Sequence, residues 1–207
     1  MTTEVYPYTA ASTGIGAAIF DPGWREQLGA DFGDIEWVET GERLTAETFA
    51  MRRQEGGVII AHIIPEETVE TALADPAVIV ASDGVPFVNG RAHPRGAGTF
   101  ARVLGRYVRE RGTLTLMEAL GKMTLMPARR LEAWVPQMRT KGRIRVGADA
   151  DLTMFDPETV IDRATFAAPA QPSVGIPNVV VAGTVVVRDG AVVDGVFPGQ
   201  PIRRTLD

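Results

Sequence analysis

A carboxylate directly after an apolar segment is the first candidate for chemistry in this sequence. Residues 77–81 are apolar and lead into Ser82, Asp83 and Gly84. Side chains at the carboxyl end of a buried parallel strand face the crevice in which α/β folds place their active sites. A carboxylate there can ligate a metal and transfer a proton, so Asp83 could serve both roles. Capping of the following turn by Asp83 explains the local sequence equally well.

Further candidates for binding lie on both sides of Asp83. Arg95 follows in the loop segment His-Pro-Arg and could hold a substrate carboxylate through two hydrogen bonds, although a surface salt bridge is the alternative. His62 ends an earlier apolar strand and could contact substrate or serve a structural role. Glu66 and nearby acids are interpreted as solvated helix faces. A polar and aromatic group suited to binding lies on one loop: Tyr6, Tyr8, Thr9 and Ser12.

Composition limits which sites this chain can build. Its 207 residues contain no cysteine, which excludes disulfides, thiolate zinc sites and cysteine nucleophiles. The two histidines, His62 and His93, are too few for a histidine-rich metal cage. The net charge is −5, yet residues 1–83 carry fifteen acids against four arginines, and the remainder is net basic. The arginines of residues 91–145 are spread through amphipathic helices without an aromatic platform, so we expect no nucleic-acid partner.

Neither a membrane span nor a secretory leader is expected. No apolar run approaches the ~18 residues of a membrane helix, and residues 1–10 have no basic leader or apolar core. We therefore expect a cytoplasmic protein without a membrane partner.

The elements expected around Asp83 are those of an α/β fold. The first forty residues are rich in Gly and Pro and are interpreted as a long loop with one short helix. A helix is expected over residues 45–54, with Thr45 and Thr48 near its start. A strand at Val58–Ala61, a helix over residues 65–74 and a strand over residues 77–81 predict a βαβ unit with a parallel sheet.

The pattern after the Asp83 loop is first helical and then strand-like. Apolar positions from Phe100 to Val108 follow helical spacing, Thr115 and Glu118 form a capping-box pattern, and Pro127 opens another helix. Beyond Gly142, strands are expected at residues 143–146, 151–155, 178–182, 185–188 and 191–193. Gly-containing hairpin turns separate the last three. We therefore expect two portions, residues 1–140 and 141–207, the second all-β.

An ordered series of segments resembles a known family. YPYTAAST, ASDG, HPR-x4-FARVLGRYVRE, KMTLMPARRLE, KGRIRVGADADLTMFDP and VVVAGTVVVRDG follow one another along essentially the whole chain. Together they resemble the C-terminal part of the N-acyl-D-amino-acid deacylases, or D-aminoacylases, of the amidohydrolase superfamily. The GRI-x-VG and ADL-x-x-FDP segments mark the superfamily, whereas YPYTA and the HPR segment narrow the resemblance to the deacylases.

The resemblance implies the last βα units of a zinc-carrying (β/α)8 barrel followed by a β-sandwich tail. It implies that Asp83 is the metal-associated general base and acid, and that Arg95, Tyr6 and Ser12 hold the substrate carboxylate. His62 is kept as a further substrate-binding candidate. In the implied mechanism, zinc polarises the amide carbonyl and lowers the pKa of a bound water, and Asp83 transfers the water's proton to the leaving amine.

The sequence departs from this family in one large respect. In the family, histidine and cysteine zinc ligands come from earlier barrel strands, and a whole barrel takes about 250 residues. We therefore expect a C-terminal piece: a separate subunit, a processed fragment or a truncated frame. Because an open sheet edge invites association, a partner chain with the first strands or a homo-oligomer should cover it. Alternatives are a cyclic-amide or dipeptide hydrolase and a noncatalytic α/β binding module.

Overall fold

The computed structural model describes residues 2–87 and 89–204. Its strands are β1 (Thr3–Val5), β2 (Ala11–Gly14), β3 (Ile35–Trp37), β4 (Val58–Ala61), β5 (Val78–Val80), β6 (Leu152–Met154), β7 (Asn178–Val181), β8 (Thr184–Arg188) and β9 (Ala191–Val192). Its α-helices are α1 (Trp24–Leu28), α2 (Ala46–Glu55), α3 (Glu66–Ala74), α4 (Arg95–Arg102), α5 (Leu116–Met123) and α6 (Leu125–Leu131). No helix among the described residues is long and apolar enough to cross a membrane.

A parallel pair of strands carries the predicted site. β1 and β5 pair in parallel, with Val5 opposite Val80. Helix α3 packs against both strands and α5 packs against β5. Val69 and Leu73 of α3 share a buried core with Val80 and with Tyr107 of the following helix. This packing fixes the carboxyl end of β5, from which Asp83 follows three residues later.

The segment between these two strands folds around a second core. β2, β4 and β3 form an antiparallel sheet in that order. Aromatic side chains on one side of it pack together, and Trp24 stacks on Phe49 with ring centroids 5.3 Å apart. Residues 11–61 are therefore an inserted unit between β1 and β5, and its first strand, β2, carries Ser12.

Two expectations for this half of the chain are wrong. The first forty residues contain three strands as well as α1, and are not one long loop. The strand at Val58–Ala61 does not pair with β5, because β4 pairs antiparallel with β2 and β3. An apolar run indicates a buried strand but does not indicate which other strand pairs with it. The true neighbour of β5, β1, includes Thr3 and Glu4 and has no apolar pattern.

The predicted helices are present, but the helix expected to begin at Pro127 starts two residues earlier, at Leu125, and one helix has an unexpected form. Thr45 and Thr115 cap α2 and α5 through the predicted capping interactions. Helix α4 continues through Val103–Glu110 with the wider hydrogen bonding of a π-helix. Gly105 lies in this π-helical part, and a Cβ there would come within 2.6 Å of the Val160 carbonyl oxygen. The helix therefore lies directly against the chain that follows the predicted boundary near residue 140.

The tail forms one antiparallel sheet among the described residues, in the order β6-β7-β8-β9. The strand expected at residues 143–146 is absent, because no described strand pairs with it and Ile144 is 91% exposed. The expected portions, 1–140 and 141–207, stay a prediction. They include Met1, Val88 and residues 205–207, which lie outside the described residues.

Candidate active site

A single arginine contacts three of the other residues that the sequence singled out. Arg95 begins α4 and is only 2% exposed. Its Nη2 lies 2.8 Å from Asp83 Oδ2, and the same nitrogen donates to the Ser12 carbonyl at 3.3 Å. Its Nε donates to the Asp83 carbonyl at 2.8 Å. Its guanidinium lies over the Tyr6 ring, 4.6 Å from the centroid.

Asp83 combines a constrained backbone with an accessible carboxylate. Its φ of +47° lies in the left-handed region, which aspartate tolerates better than most non-glycine residues. Arg95 binds both its carbonyl and its carboxylate, which holds this conformation. The side chain is still 64% exposed. The carboxylate is thus fixed by the backbone and remains open to a reactant.

Two hydrogen-bond donors beside Arg95 are suited to binding an anion. The Ser12 hydroxyl is buried and has no hydrogen-bond partner among the described residues. Burial raises the pKa of Tyr6, an effect that Arg95 opposes, so Tyr6 keeps its phenolic proton. Arg95 Nη1 also makes no hydrogen bond within the described part of the chain. Since buried polar groups normally have partners, the Ser12 hydroxyl can take a further hydrogen-bond partner.

A polar network supports the loop that carries Tyr6. Arg102 donates from Nε to the Pro7 carbonyl at 2.8 Å and pairs with Asp162 at 3.2 Å. Tyr8 donates to the same Asp162 carboxylate at 3.4 Å, and burial raises its pKa. Arg102 lies on α4, the helix that also begins with Arg95. One helix therefore anchors both the arginine and the loop opposite it.

His62 does not join this group. Its Nε2 lies 2.9 Å from Glu36 Oε2, on the neighbouring strand β3. Its ring packs against Phe166 at 4.7 Å between centroids. These contacts fit the structural alternative for His62. Its role in substrate binding stays a prediction. No contact to Arg95 among the described residues supports it.

The described residues do not fit a complete metal site. Among them, no three His, Asp or Glu side chains lie close enough together to hold a metal ion. Asp83 is a single exposed carboxylate whose one oxygen is paired with Arg95. It can supply one ligand, and any further ligands would have to come from outside these residues.

With this geometry established, comparison with known proteins decides the family. The sequence matches the amidohydrolase family over residues 26–187. The chain belongs to the amidohydrolase family. It is 39% identical over 197 residues to the N-acyl-D-glutamate deacylase of Alcaligenes xylosoxydans xylosoxydans, covering 88% of this chain and 38% of the relative. It is 33% identical over 213 residues to the D-aminoacylase of the same organism, covering 98% and 41%.

A solved structure of this amidohydrolase family supports the same assignment. The N-acyl-D-glutamate deacylase of Bordetella bronchiseptica, determined with zinc and a phosphonate inhibitor, superposes with a TM-score of 0.74 at 34% identity. The match covers 92% of this chain and 41% of that one. The resemblance to the deacylases is thereby confirmed. This chain spans about two fifths of the length of the relatives it matches.

Proposed function

We propose that this chain supplies the general base and the carboxylate clamp of a zinc-dependent deacylase of N-acyl-D-amino acids. The observation that carries the proposal is the convergence of Asp83, Ser12 and Tyr6 on Arg95. In this proposal β1 and β5 are the last two strands of a (β/α)8 barrel. The tail sheet β6–β9 is part of a β-sandwich.

Asp83 is the proton-transfer group. Its exposed carboxylate takes a proton from the attacking water and delivers it to the nitrogen that leaves when the amide C–N bond breaks. Asp83 would supply one ligand to a zinc ion whose other ligands come from outside the described residues, and such an ion would provide Lewis-acid polarisation of the scissile carbonyl. The products are a carboxylate and a free D-amino acid.

Arg95, Ser12 and Tyr6 are the binding groups. A guanidinium can donate two parallel hydrogen bonds to a carboxylate, and Arg95 Nη1 is uncommitted among the described residues. The Ser12 hydroxyl offers another donor beside it. Binding the α-carboxylate of an N-acyl amino acid at this point would fix which end of the substrate faces Asp83.

The parallel pair needs neighbours that the described residues do not contain. β1 and β5 form a two-stranded sheet, so each has one unpaired edge within the described part of the chain. Unpaired edges of parallel sheets are prone to association. We propose that the remaining barrel strands, joined to this chain or on a separate chain, cover these edges. A homo-oligomer is the alternative.

The test uses the native assembly, meaning this chain with whatever polypeptide accompanies it in the cell. We expect intact-mass analysis to reveal additional barrel sequence, metal analysis to find stoichiometric zinc, and an assay to detect hydrolysis of N-acetyl-D-amino acids. An assembly without zinc and without this hydrolysis would contradict the proposal and favour a noncatalytic binding module. Hydrolysis of neutral cyclic amides alone, or of dipeptides in preference, would favour those amidohydrolase activities.

A further inference from the structure

A second histidine, His93, lies behind the carboxylate clamp without belonging to it. It precedes α4 by two residues and its side chain is completely buried. The rings of Tyr6, Tyr8 and Phe166 each meet the imidazole edge-on, with centroids 6.0, 5.2 and 5.2 Å away. Both ring nitrogens are already bonded to backbone groups, so His93 has no free polar atom to offer a substrate and its role must be exerted through its neighbours.

Both nitrogens of this ring have defined partners. The backbone N–H of Arg95 donates to His93 Nδ1 at 3.1 Å, and Nε2 lies 3.0 Å from the Ala10 carbonyl oxygen. Because an N–H can only donate and a carbonyl can only accept, the proton is on Nε2 and the ring is neutral. Burial lowers the pKa of His93 to about 3, with the charge of Arg95 acting in the same direction.

These two hydrogen bonds connect the two halves of the clamp. Ala10 directly precedes β2, the strand that carries Ser12, and Arg95 begins α4. The two segments are 83 residues apart along the chain. Two longer hydrogen bonds also join these segments: Arg95 Nη2 donates to the Ser12 carbonyl at 3.3 Å, and the Tyr8 hydroxyl donates to the Pro94 carbonyl at 3.4 Å.

We infer that His93 is a positioning residue that fixes the Ser12 hydroxyl relative to the Arg95 guanidinium and thereby sets the affinity for a substrate carboxylate. The inference rests on the proposed function. A purely structural role would not predict this, because the inference requires that a change at His93 alter binding of one substrate group, the carboxylate. The amide-cleaving step, which depends on Asp83, should be affected much less.

Two substitutions of His93 each remove one of its two hydrogen bonds and keep the other. His93→Asn keeps an acceptor near the Nδ1 position for the Arg95 N–H but has no donor that reaches Ala10. His93→Gln keeps a donor near the Nε2 position but no acceptor for Arg95. Lys122→Met is the matched control, since Lys122 is also buried and also donates to backbone carbonyls, those of Asp75 and Val78, away from the clamp.

A measurement without turnover tests the geometry first. Nitrogen-15 spectra of the imidazole should show a neutral ring with the proton on Nε2 throughout pH 5–8. An imidazolium in that range, or a proton on Nδ1, would overturn the inference because the Arg95 N–H could then have no acceptor.

The closing experiment measures KM and kcat of the native assembly for an N-acetyl-D-amino acid. His93→Asn should raise KM about tenfold and leave kcat within about twofold, because one buried hydrogen bond is lost at the Ser12 side. In a Ser12→Ala background the same substitution should no longer raise KM, whereas Lys122→Met should not change KM in either background. An unchanged KM, or an effect that persists without the Ser12 hydroxyl, overturns the role of His93. An inactive wild-type assembly overturns the proposed function itself, and the two failures are therefore distinguishable.

Discussion

The region around Arg95 and the tail after residue 142 differ in how far their side chains are buried and their polar groups paired. Around Arg95, buried polar groups from segments more than eighty residues apart bind one another, and the Tyr8 ring beside them is buried. In the tail, Ile144 and Val146 are almost wholly exposed, and so is Phe197. The comparison teaches that the groups proposed as the clamp contact one another within this chain, whereas the tail presents apolar surface that the described residues do not cover.

The largest effect should come from Asp83. Asp83→Asn keeps the shape of the side chain and the tolerance for a positive φ but removes the base. We expect kcat of the native assembly to fall by about 10²–10⁴-fold, the usual contribution of general acid–base catalysis. The thermal midpoint should stay close to that of the wild type, since the side chain is largely exposed. A kcat near the wild-type value would exclude Asp83 as the proton-transfer group.

Arg95→Ala should damage both binding and catalysis. The substitution removes the guanidinium from the Ser12 carbonyl and from both Asp83 groups, so KM should rise and kcat should fall together. We also expect a loss of about 2 kcal/mol in the free energy of unfolding, because a buried side chain and its hydrogen bonds are lost. Steady-state kinetics and denaturant unfolding measure the two parts. Arg95→Lys is the control and should not restore KM, because an ammonium cannot donate in the planar fork of a guanidinium.

A pair of alanine substitutions tests the contrast between the two regions through stability. Leu73→Ala removes a fully buried side chain from the core between α3 and the parallel strands and should cost about 3 kcal/mol. Ile144→Ala should cost less than about 0.5 kcal/mol in the isolated chain. In the native assembly we expect the cost of Ile144→Ala to increase if the rest of the protein covers the tail. Equal costs in the isolated chain would contradict the contrast.

The smallest effect concerns pH and Glu66. Burial opposes ionisation of this carboxyl, but hydrogen bonds from Arg106 and Tyr107 and the Arg106 charge together lower its pKa. A lowered folded-state pKa means that the stabilisation is present above the unfolded-state value and is lost as pH falls through the lowered pKa. Glu66→Gln should therefore cost about 1 kcal/mol at pH 7 and flatten the acid limb of stability against pH. An unchanged acid limb would show that Glu66 contributes nothing to it.

Local signals in the sequence were sufficient for most helices and for the position of Asp83. Thr45 and Thr115 act within four residues of themselves, so their capping interactions could be predicted. The apolar run before Asp83 predicts a buried parallel strand that ends just before it, and β5 has this position. Glu66 was interpreted as solvated, because its partners Arg106 and Tyr107 lie forty residues further along the chain.

Which strands pair and which side chains become buried depends on residues far apart in the sequence, so neither could be predicted here. β1 has too few apolar residues to signal a buried strand, and nothing local shows that it lies beside β5. In the sequence, His93 is one of two histidines and part of the loop segment His-Pro-Arg, and neither feature indicates what its ring contacts. Its hydrogen bond to the Ala10 carbonyl joins residues 83 positions apart, which no local pattern shows. The contact between Asp83 and Arg95 is likewise visible only in the structure, although the sequence marks both residues as candidates.

The Ser12 hydroxyl provides the most direct test of the clamp. Ser12→Ala removes a donor that lacks a partner among the described residues and leaves the Ser12 carbonyl bonded to Arg95. KM of the native assembly should be measured for an N-acetyl-D-amino acid and for the same compound with its carboxylate converted to a neutral amide. The account predicts a rise in KM of about tenfold for the acid and none for the amide. An equal effect on both substrates, or no effect on the acid, would contradict it.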